Sequence, residues 1–250
     1  MTEVLCRRPA MATLFEFLLV GEEEEHLAAV GEAALDELER IERMLSMFDP
    51  ASELARVNRE AADHPVKVSR ELFDVLAECR RHHERTDGWF DPCVGSAGRF
   101  GDSVRLDDIA QTVAFTTPGT RFDLGGYGKG YALDNAARIL AEFHIADFLI
   151  HGGTSSALAC GTRDWNVDLR SQNSDGVVGR VNLKNAGLSS SANDSSGTVV
   201  IAETAALAEV WSTAILAMGF QRARAFDYHE LHAVGWIDTA AIHWLKGSGT

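Results

Sequence analysis

Basic residues are scarce in this chain. It carries 23 Lys and Arg against 37 Asp and Glu, a formal net charge of −14 over 250 residues. A nucleic-acid partner or an anionic membrane surface, both of which need clustered positive charge, is therefore disfavoured. Cysteine is sparse as well. Cys6, Cys79, Cys93 and Cys160 show no C-x-x-C spacing, so neither a zinc site nor a disulfide framework is indicated, and reduced thiols are the simplest reading. Long apolar runs are missing too. The opening MTEVLCRRPAMATLFEFLLVGEEEE has too short an apolar run before its charges for a signal peptide, and no stretch is long enough to span a bilayer. The expectation is a cytoplasmic protein. Internal repeats and low-complexity linkers are also lacking.

What is present suffices for a large core: 46% of residues are hydrophobic and 24% charged, consistent with one domain, residues 1–250, built as two close lobes. TLFEFLLV from Thr13 reads as a strand. From Glu22 to Leu45, the residues Leu27, Val30, Ala34, Leu38, Ile41 and Leu45 recur at helical spacing. The acidic start of that helix, Glu22 to Glu25, suits the positive end of its dipole. Ser69 is placed to cap a second helix with Leu72, Phe73, Leu76 and Cys79 on one face, ending at Gly88. Further helices are expected over Gly130 to Phe143 and Thr204 to Met218, with a short one over Phe220 to Tyr228. Between them lie short β-like runs: VAFTT, DFLIH, SALAC, WNVDL, VVGRVNL, TVVIA and LHAVGWI. Helices early and hairpin-spaced strands late indicate an α+β fold and not a regular doubly wound sheet.

Four stretches invite chemistry. RFDLGGYGKGYALDNAARIL, from Arg121 to Leu140, places glycines and Lys129 between an extended run and a helix. Its glycines are expected to reach φ > 0 and to let a ligand approach, while the helix N-terminus favours an anion. The P-loop pattern fails, because Asp123 and Gly130 stand where a glycine and a Ser or Thr are needed. G-x-G-x-x-G fails as well, because Ala132 follows Gly126, Gly128 and Gly130. A plain strand-to-helix turn is the alternative. DGWFDPCVGS, from Asp87, reads either as a site segment or as a helix end followed by an Asp-Pro turn. HGGTSSALACG, from His151, reads as a tight hairpin or a ligand loop. In AALAEVWSTAILAMG, Glu209 and Thr213 stand four apart and share a helix face. A carboxylate and a hydroxyl there are hard oxygen ligands of the kind magnesium accepts when phosphate supplies others; an ordinary polar pair is the alternative.

In this order the segments resemble one family, the ApbE-type FAD:protein FMN transferases, over most of the chain. MAT at Met11 is similar to the family's M-G-T, and MLSMFDPASELARVN, ending at Asn58, to its "lS.y.p.Selsr.N". DGWFDPCVG resembles "G.fDptvG", FDLGGYGKGYALDNAARIL resembles "vDlGgiaKGyavD.a...L", HGGTSSALACG resembles "n.GGnira.G", and AETAALAEVWSTAILAMG resembles "a.tam.ADalsTal.vlG". The resemblance implies an ApbE-like, T-fold-related α+β fold with largely antiparallel sheets and packed helices. It also implies FAD as substrate, a magnesium ion against its pyrophosphate, and a Ser or Thr of an acceptor protein as the group that receives FMN. Asp123 and Lys129 would touch the flavin nucleotide. Met11 and Phe48 fall at flavin-contacting positions, and Arg99 and Phe100 near another. The Gly126 carbonyl, Glu209 and Thr213 would ligate the metal.

Two departures stand out. Glu209 replaces the family's Asp, and between GLSSSAND and TVVIAETAA only SSG stands where the family carries "H-i-i-D-P-.-t-G". No catalytic residue is assigned, although His151, His229 and His232 are candidates to replace the absent histidine. A poor transferase is therefore expected. A flavin-binding chain without transfer and a magnesium-dependent FAD pyrophosphatase are the alternatives.

Overall fold

The computed structural model describes residues 1–170, 176–238 and 241–248. In chain order its elements are β1 (Thr2–Ala10), β2 (Thr13–Gly21), α1 (Glu24–Leu45), α2 (Glu53–Glu60), β3 (Val66–Lys67), α3 (Arg70–Arg85), α4 (Phe100–Ser103), β4 (Val104–Asp107), β5 (Thr112–Phe115) and α5 (Gly128–Glu142). They continue with β6 (Asp147–Gly152), β7 (Ser156–Cys160), β8 (Trp165–Arg170), β9 (Val177–Leu183), β10 (Ala186–Ala192), β11 (Gly197–Ala202), α6 (Ala205–Met218), α7 (Phe220–Ala223), β12 (Ala233–Ile237) and β13 (Ile242–Lys246). The chain divides into two compact units, residues 1–39 with 129–250, and residues 40–128.

The first unit is built on an eight-stranded sheet in the order β1-β2-β6-β7-β10-β11-β12-β13. Every pairing in it is antiparallel. Strand alternation gives the sheet two faces. One carries Phe15, Phe17, Leu19, Phe148 and Ile150, all buried, and receives helices: α6 packs on β10 and β11. The other carries Ala157, Ala159, Leu188, Val199 and Ile201, covered by Leu169, Val181 and Leu183 of the separate β8–β9 ribbon. The expected spacing in α1 holds, with Leu27, Val30, Ala34, Leu38, Ile41 and Leu45 all buried. The helix begins at Glu24, two residues after the expected start.

The second unit sets a three-stranded antiparallel sheet, β3-β5-β4, beside α3. The Ser69 hydroxyl caps α3 by accepting from the Leu72 N–H. The helix stops at Arg85, three residues before the expected end at Gly88, and Asp87, at φ +51, takes the left-handed position that closes it, with the Asp87 and Gly88 N–H groups donating to the Glu84 and His83 carbonyls. The fifth expected helix is a correction: α7 covers only Phe220–Ala223. The residues after it serve an aromatic cluster instead, in which Trp211 meets Phe226 and Tyr228 with ring centroids 5.4 and 5.8 Å apart. β1, β3, β4, β10, β13, α2 and α4 are additions to the sequence reading.

Helices α5 and α6 cap one another. A helix start leaves backbone N–H groups without partners. Here the Asp134 carboxylate of α5 accepts from Ala205 N at 2.8 Å and Ala206 N at 3.0 Å, while Glu209 of α6 accepts from Gly130 N at 2.5 Å. The helices approach so closely that a Cβ on Gly130 would lie 2.5 Å from the Ala205 carbonyl oxygen. The role expected of the loop glycines is corrected accordingly: Gly125, Gly128 and Gly130 all lie outside the positive-φ region, and at Gly130 the missing side chain makes room for backbone. Positive φ occurs instead at the β1–β2 turn, where Met11 (φ 49) and Ala12 (φ 58) form a two-residue hairpin, and at Gly153 (φ 62) in the β6–β7 turn.

Three outcomes follow from this packing. Gly130→Ala should lower unfolding stability by about 1–3 kcal/mol through overpacking, whereas Gly128→Ala, whose Cβ would lie 3.8 Å from Leu45, should change it little; thermal melts of the two compare them directly. Ala12→Gly should raise stability by about 0.5–1 kcal/mol, because glycine adopts positive φ without a Cβ clash. Burial pushes the Asp134 carboxyl up to about 6, against the pull of its two backbone bonds. The folded state then holds a proton that an unfolded aspartate releases near pH 4, so the contribution of Asp134 to stability falls as pH rises from about 4 to 6. Asp134→Asn should remove this slope, and denaturant titrations across that range should show the wild-type minus variant stability decreasing with pH.

Candidate functional site

In the first unit the site is centred on Glu209. Its side chain is 3% exposed, in a helix whose Ala205, Ala206, Ala208, Val210 and Ala214 are buried. A carboxylate there is costly unless paired. Lys129 Nζ donates to Oε1 at 2.5 Å and Gly130 N to Oε2. Burial raises the Glu209 pKa, and the ammonium and the backbone donor oppose that rise. The Ser156 hydroxyl also favours the charged carboxylate, yet its buried oxygen has no partner at hydrogen-bonding geometry. Thr213, one turn beyond Glu209, is half-buried.

Beneath Glu209 lies a chain of buried hydroxyls. Ser212 Oγ donates to Ser189 Oγ at 3.1 Å, lies 2.9 Å from Ser191 Oγ and 3.0 Å from the Glu209 carbonyl, and Thr198 Oγ1 donates to the Ser212 carbonyl at 2.8 Å. Ser156 and Ser189 are cross-strand partners. These residues were not singled out from the sequence. A run of small polar residues such as AGLSSSA has weak strand propensity, and only the pairing of β10 with α6 shows why hydroxyls are placed there.

In the second unit, three sequence motifs are tied together through the backbone. The Asn58 side chain donates from Nδ2 to the Phe122 carbonyl at 2.9 Å and accepts from Phe122 N at 2.7 Å. Asp123 N donates to the Pro92 carbonyl at 2.7 Å, and Asp123 Oδ1 accepts from Gly125 N at 2.8 Å. The loop that carries Asp123 and Gly126 is thus held by SELARVN on one side and FDPC on the other. Asp91 accepts from Cys93 N at 2.9 Å, Phe100 N at 3.2 Å and Arg99 Nε at 3.3 Å.

The remaining expected residues divide sharply. Met11 lies in the first unit's β1–β2 turn, and Phe48 is 87% exposed. Arg99 is exposed and bound to Asp91 and the Gly88 carbonyl. Phe100 is fully buried, with its ring 5.8 Å from His83 and 5.7 Å from Phe122 between ring centroids. Of the histidines named as replacements, His229 and His232 are exposed. His151 lies beside Glu16 at 3.8 Å, on the sheet face that carries Ala157 and not on the α6 face. Where the resemblance places a histidine segment, β10 and β11 are joined by a closed turn. In it Asn193 Oδ1 accepts from Ser195 N and Ser196 N, both at 3.0 Å.

Among the described residues no three His, Cys, Asp or Glu side chains converge on a metal position. The donor chemistry of Glu209 and Thr213 nevertheless fits a hard cation that takes the rest of its oxygen shell from backbone carbonyl, phosphate and water. No helix of the described residues is long and apolar enough to cross a membrane, and all four cysteines are free thiols.

Comparison with known proteins agrees with the arrangement of motifs. The model of the ApbE family matches residues 11–198. The FAD:protein FMN transferase of Salmonella typhimurium is 23% identical over a match covering 91% of this chain and 82% of that protein. Those of Chlamydia muridarum and Rhodobacter capsulatus are 26% and 30% identical, but the match spans only 49% and 29% of their lengths. Among solved structures, the ApbE protein of Thermotoga maritima superposes with a TM-score of 0.87 at 20% identity, covering 97% of both chains. The flavin transferase ApbE of Vibrio cholerae gives 0.83 at 16% identity, covering 99% and 98%. The fold is the mixed helix and antiparallel-sheet fold of those structures, and the chain belongs to the ApbE family.

Proposed function

We propose that this chain binds FAD and acts as a slow FAD:protein FMN transferase. A Ser or Thr hydroxyl of an acceptor protein attacks the phosphorus on the FMN side of the pyrophosphate, its proton passes to solvent or base, the P–O bond to AMP breaks, and FMN becomes esterified to the acceptor. The observation that carries this reading is the buried carboxylate of Glu209 gripped by Lys129 and the Gly130 N–H, directly after a glycine-rich loop. Such a cluster at a helix start suits a phosphate and its counter-cation. The names of the relatives support the same reaction.

Magnesium, held by Glu209 and Thr213, would supply charge neutralisation on the pyrophosphate oxygens. The residues of the chain do the rest. Lys129 neutralises phosphate charge, and the bonds from Asn58 and Pro92 fix the loop that presents Asp123. The closed turn at Asn193–Ser196 favours a second reading, FAD binding with little or no transfer, because a positioned acid/base is worth about 10²–10⁴ in rate and the family's histidine segment is absent. Hydrolysis of FAD by water is the third outcome.

Incubating the protein with FAD, magnesium and a peptide of the D-x-x-[ST]-G-A-[ST] type separates these by mass spectrometry. A weak FMN-peptide adduct is expected; AMP and FMN without adduct would mean hydrolysis, and unchanged FAD would mean binding alone. For the cation, flavin-fluorescence titrations should show magnesium-dependent FAD affinity that Glu209→Ala removes, and equal wild-type affinity with and without magnesium overturns the metal assignment. Lys129→Met leaves a buried carboxylate without its cation and should cost about 3–5 kcal/mol of stability. Magnesium should then raise the melting temperature of that variant more than that of the wild type.

A further inference from the structure

We propose that β1 is an interface between two copies of this chain, pairing antiparallel across a two-fold axis at Leu5 to continue the sheet from one copy into the other. β1 ends the strand order of the eight-stranded sheet, so one side of its nine residues is an open edge among the described residues. Open edges of this length are commonly blunted. The opposite edge, β13, has five residues and a register shift against β12 at Val234/Gly235. β1 pairs with β2 without interruption from Thr2 to Ala10.

The sequence of β1 is self-complementary in one register. With Leu5 on the axis, Glu3 faces Arg7 of the second copy and Arg7 faces its Glu3, while Val4 faces Cys6 and Thr2 faces Arg8. Pro9, which lacks an N–H, falls just outside the paired span. Shifting the register by two residues either way sets Glu3 against Leu5 or against Pro9, so only this one pairs opposite charges. Facing residues of an antiparallel pair project from the same side of the sheet, and the rows already present within the chain extend across the seam. Leu5 faces Leu18 and Leu18 faces Leu149 in register, so a leucine row would run through the axis into the second copy. Leu5 is 49% exposed, and Leu14, on the same face, 42%.

The charges fall into alternating order on the same face. Arg163 holds Glu3 at 2.6 Å and Glu16 holds Arg7 at 2.6 Å, which gives the row Arg163, Glu3, then Arg7 and Glu16 of the second copy. Each inner charge would be flanked by opposite sign on both sides. The occupant that matches this edge in charge, length and apolar row is therefore the chain itself.

Charge reversal tests the register. Sedimentation velocity over about 1–100 μM should show a concentration-dependent dimer for the wild type. Glu3→Arg alone and Arg7→Glu alone each set like charges opposite one another and should weaken dimerisation at least about tenfold. Mixing these two variants restores both opposite pairs and should give the heterodimer. Leu5→Cys, independent of the charged pairs, should form a covalent dimer on mild oxidation that the wild type does not form. A wild type monomeric throughout that range, single reversals that dimerise as well as wild type, or absence of the Leu5→Cys cross-link would each overturn the proposal.

Discussion

A carboxylate buried at the junction of two helices organises the first unit. Glu209 sits where desolvation raises its pKa, and an ammonium and a backbone N–H converge on its two oxygens and oppose that rise. Asp134 makes the reciprocal arrangement, closing the start of α6 from α5. Each helix thus receives its cap from the other, and neither end is complete without its neighbour. That requirement explains the glycine at position 130, since any side chain there would separate the two starts. It also explains why a lysine follows the glycine-rich loop directly: the turn delivers Nζ to the same carboxylate that the next backbone N–H reaches.

The same carboxylate accounts for the polar strip under α6. A helix so rich in buried alanine and apolar side chains would ordinarily meet an apolar sheet, yet Ser189, Ser191 and Thr198 of the sheet bond to Ser212 of the helix. Hydroxyls are small, donate and accept, and satisfy one another without net charge. They let a sheet lie close to a helix that carries a charged group. Ser156, at the end of the row and next to the Glu209 carboxylate, is the member whose hydroxyl lacks a partner.

The turn from Asn193 to Ser196 bears on the proposed activity because it stands where the family resemblance places a histidine segment. It closes on itself through the Asn193 side chain, so the hairpin is complete as a structural unit without the family's histidine segment. On the proposed reading, Glu209, Lys129 and Thr213 supply the phosphate-facing chemistry without that segment. Transfer to a protein hydroxyl is the more demanding of its possible reactions, because it needs acid/base assistance and exclusion of water in addition to charge neutralisation.

The sequence by itself determined the helices with long apolar periodicity, the capping serine at position 69, the hairpin strands and the order of motifs that marks the family. These are local signals: spacing at 3.6 or 2 residues, a cap hydroxyl three residues before an N–H, and glycines at turns. It also marked Glu209, Lys129 and Thr213 by residue type and spacing. Tertiary structure decided what those residues do. Lys129 and Glu209 are 80 residues apart in the chain, and no local pattern states that they meet. Asn58 reads only as the end of a motif until its side chain is seen to pair with the Phe122 backbone. No local signal at Phe100 announces that the rings of His83 and Phe122 lie around it. β10, made of small polar residues, has no propensity to announce it as a central strand, and becomes one because α6 supplies partners for its hydroxyls. Local sequence encodes elements through short-range sterics and periodicity, whereas burial, charge pairing and the satisfaction of polar groups depend on which distant segments the fold brings together.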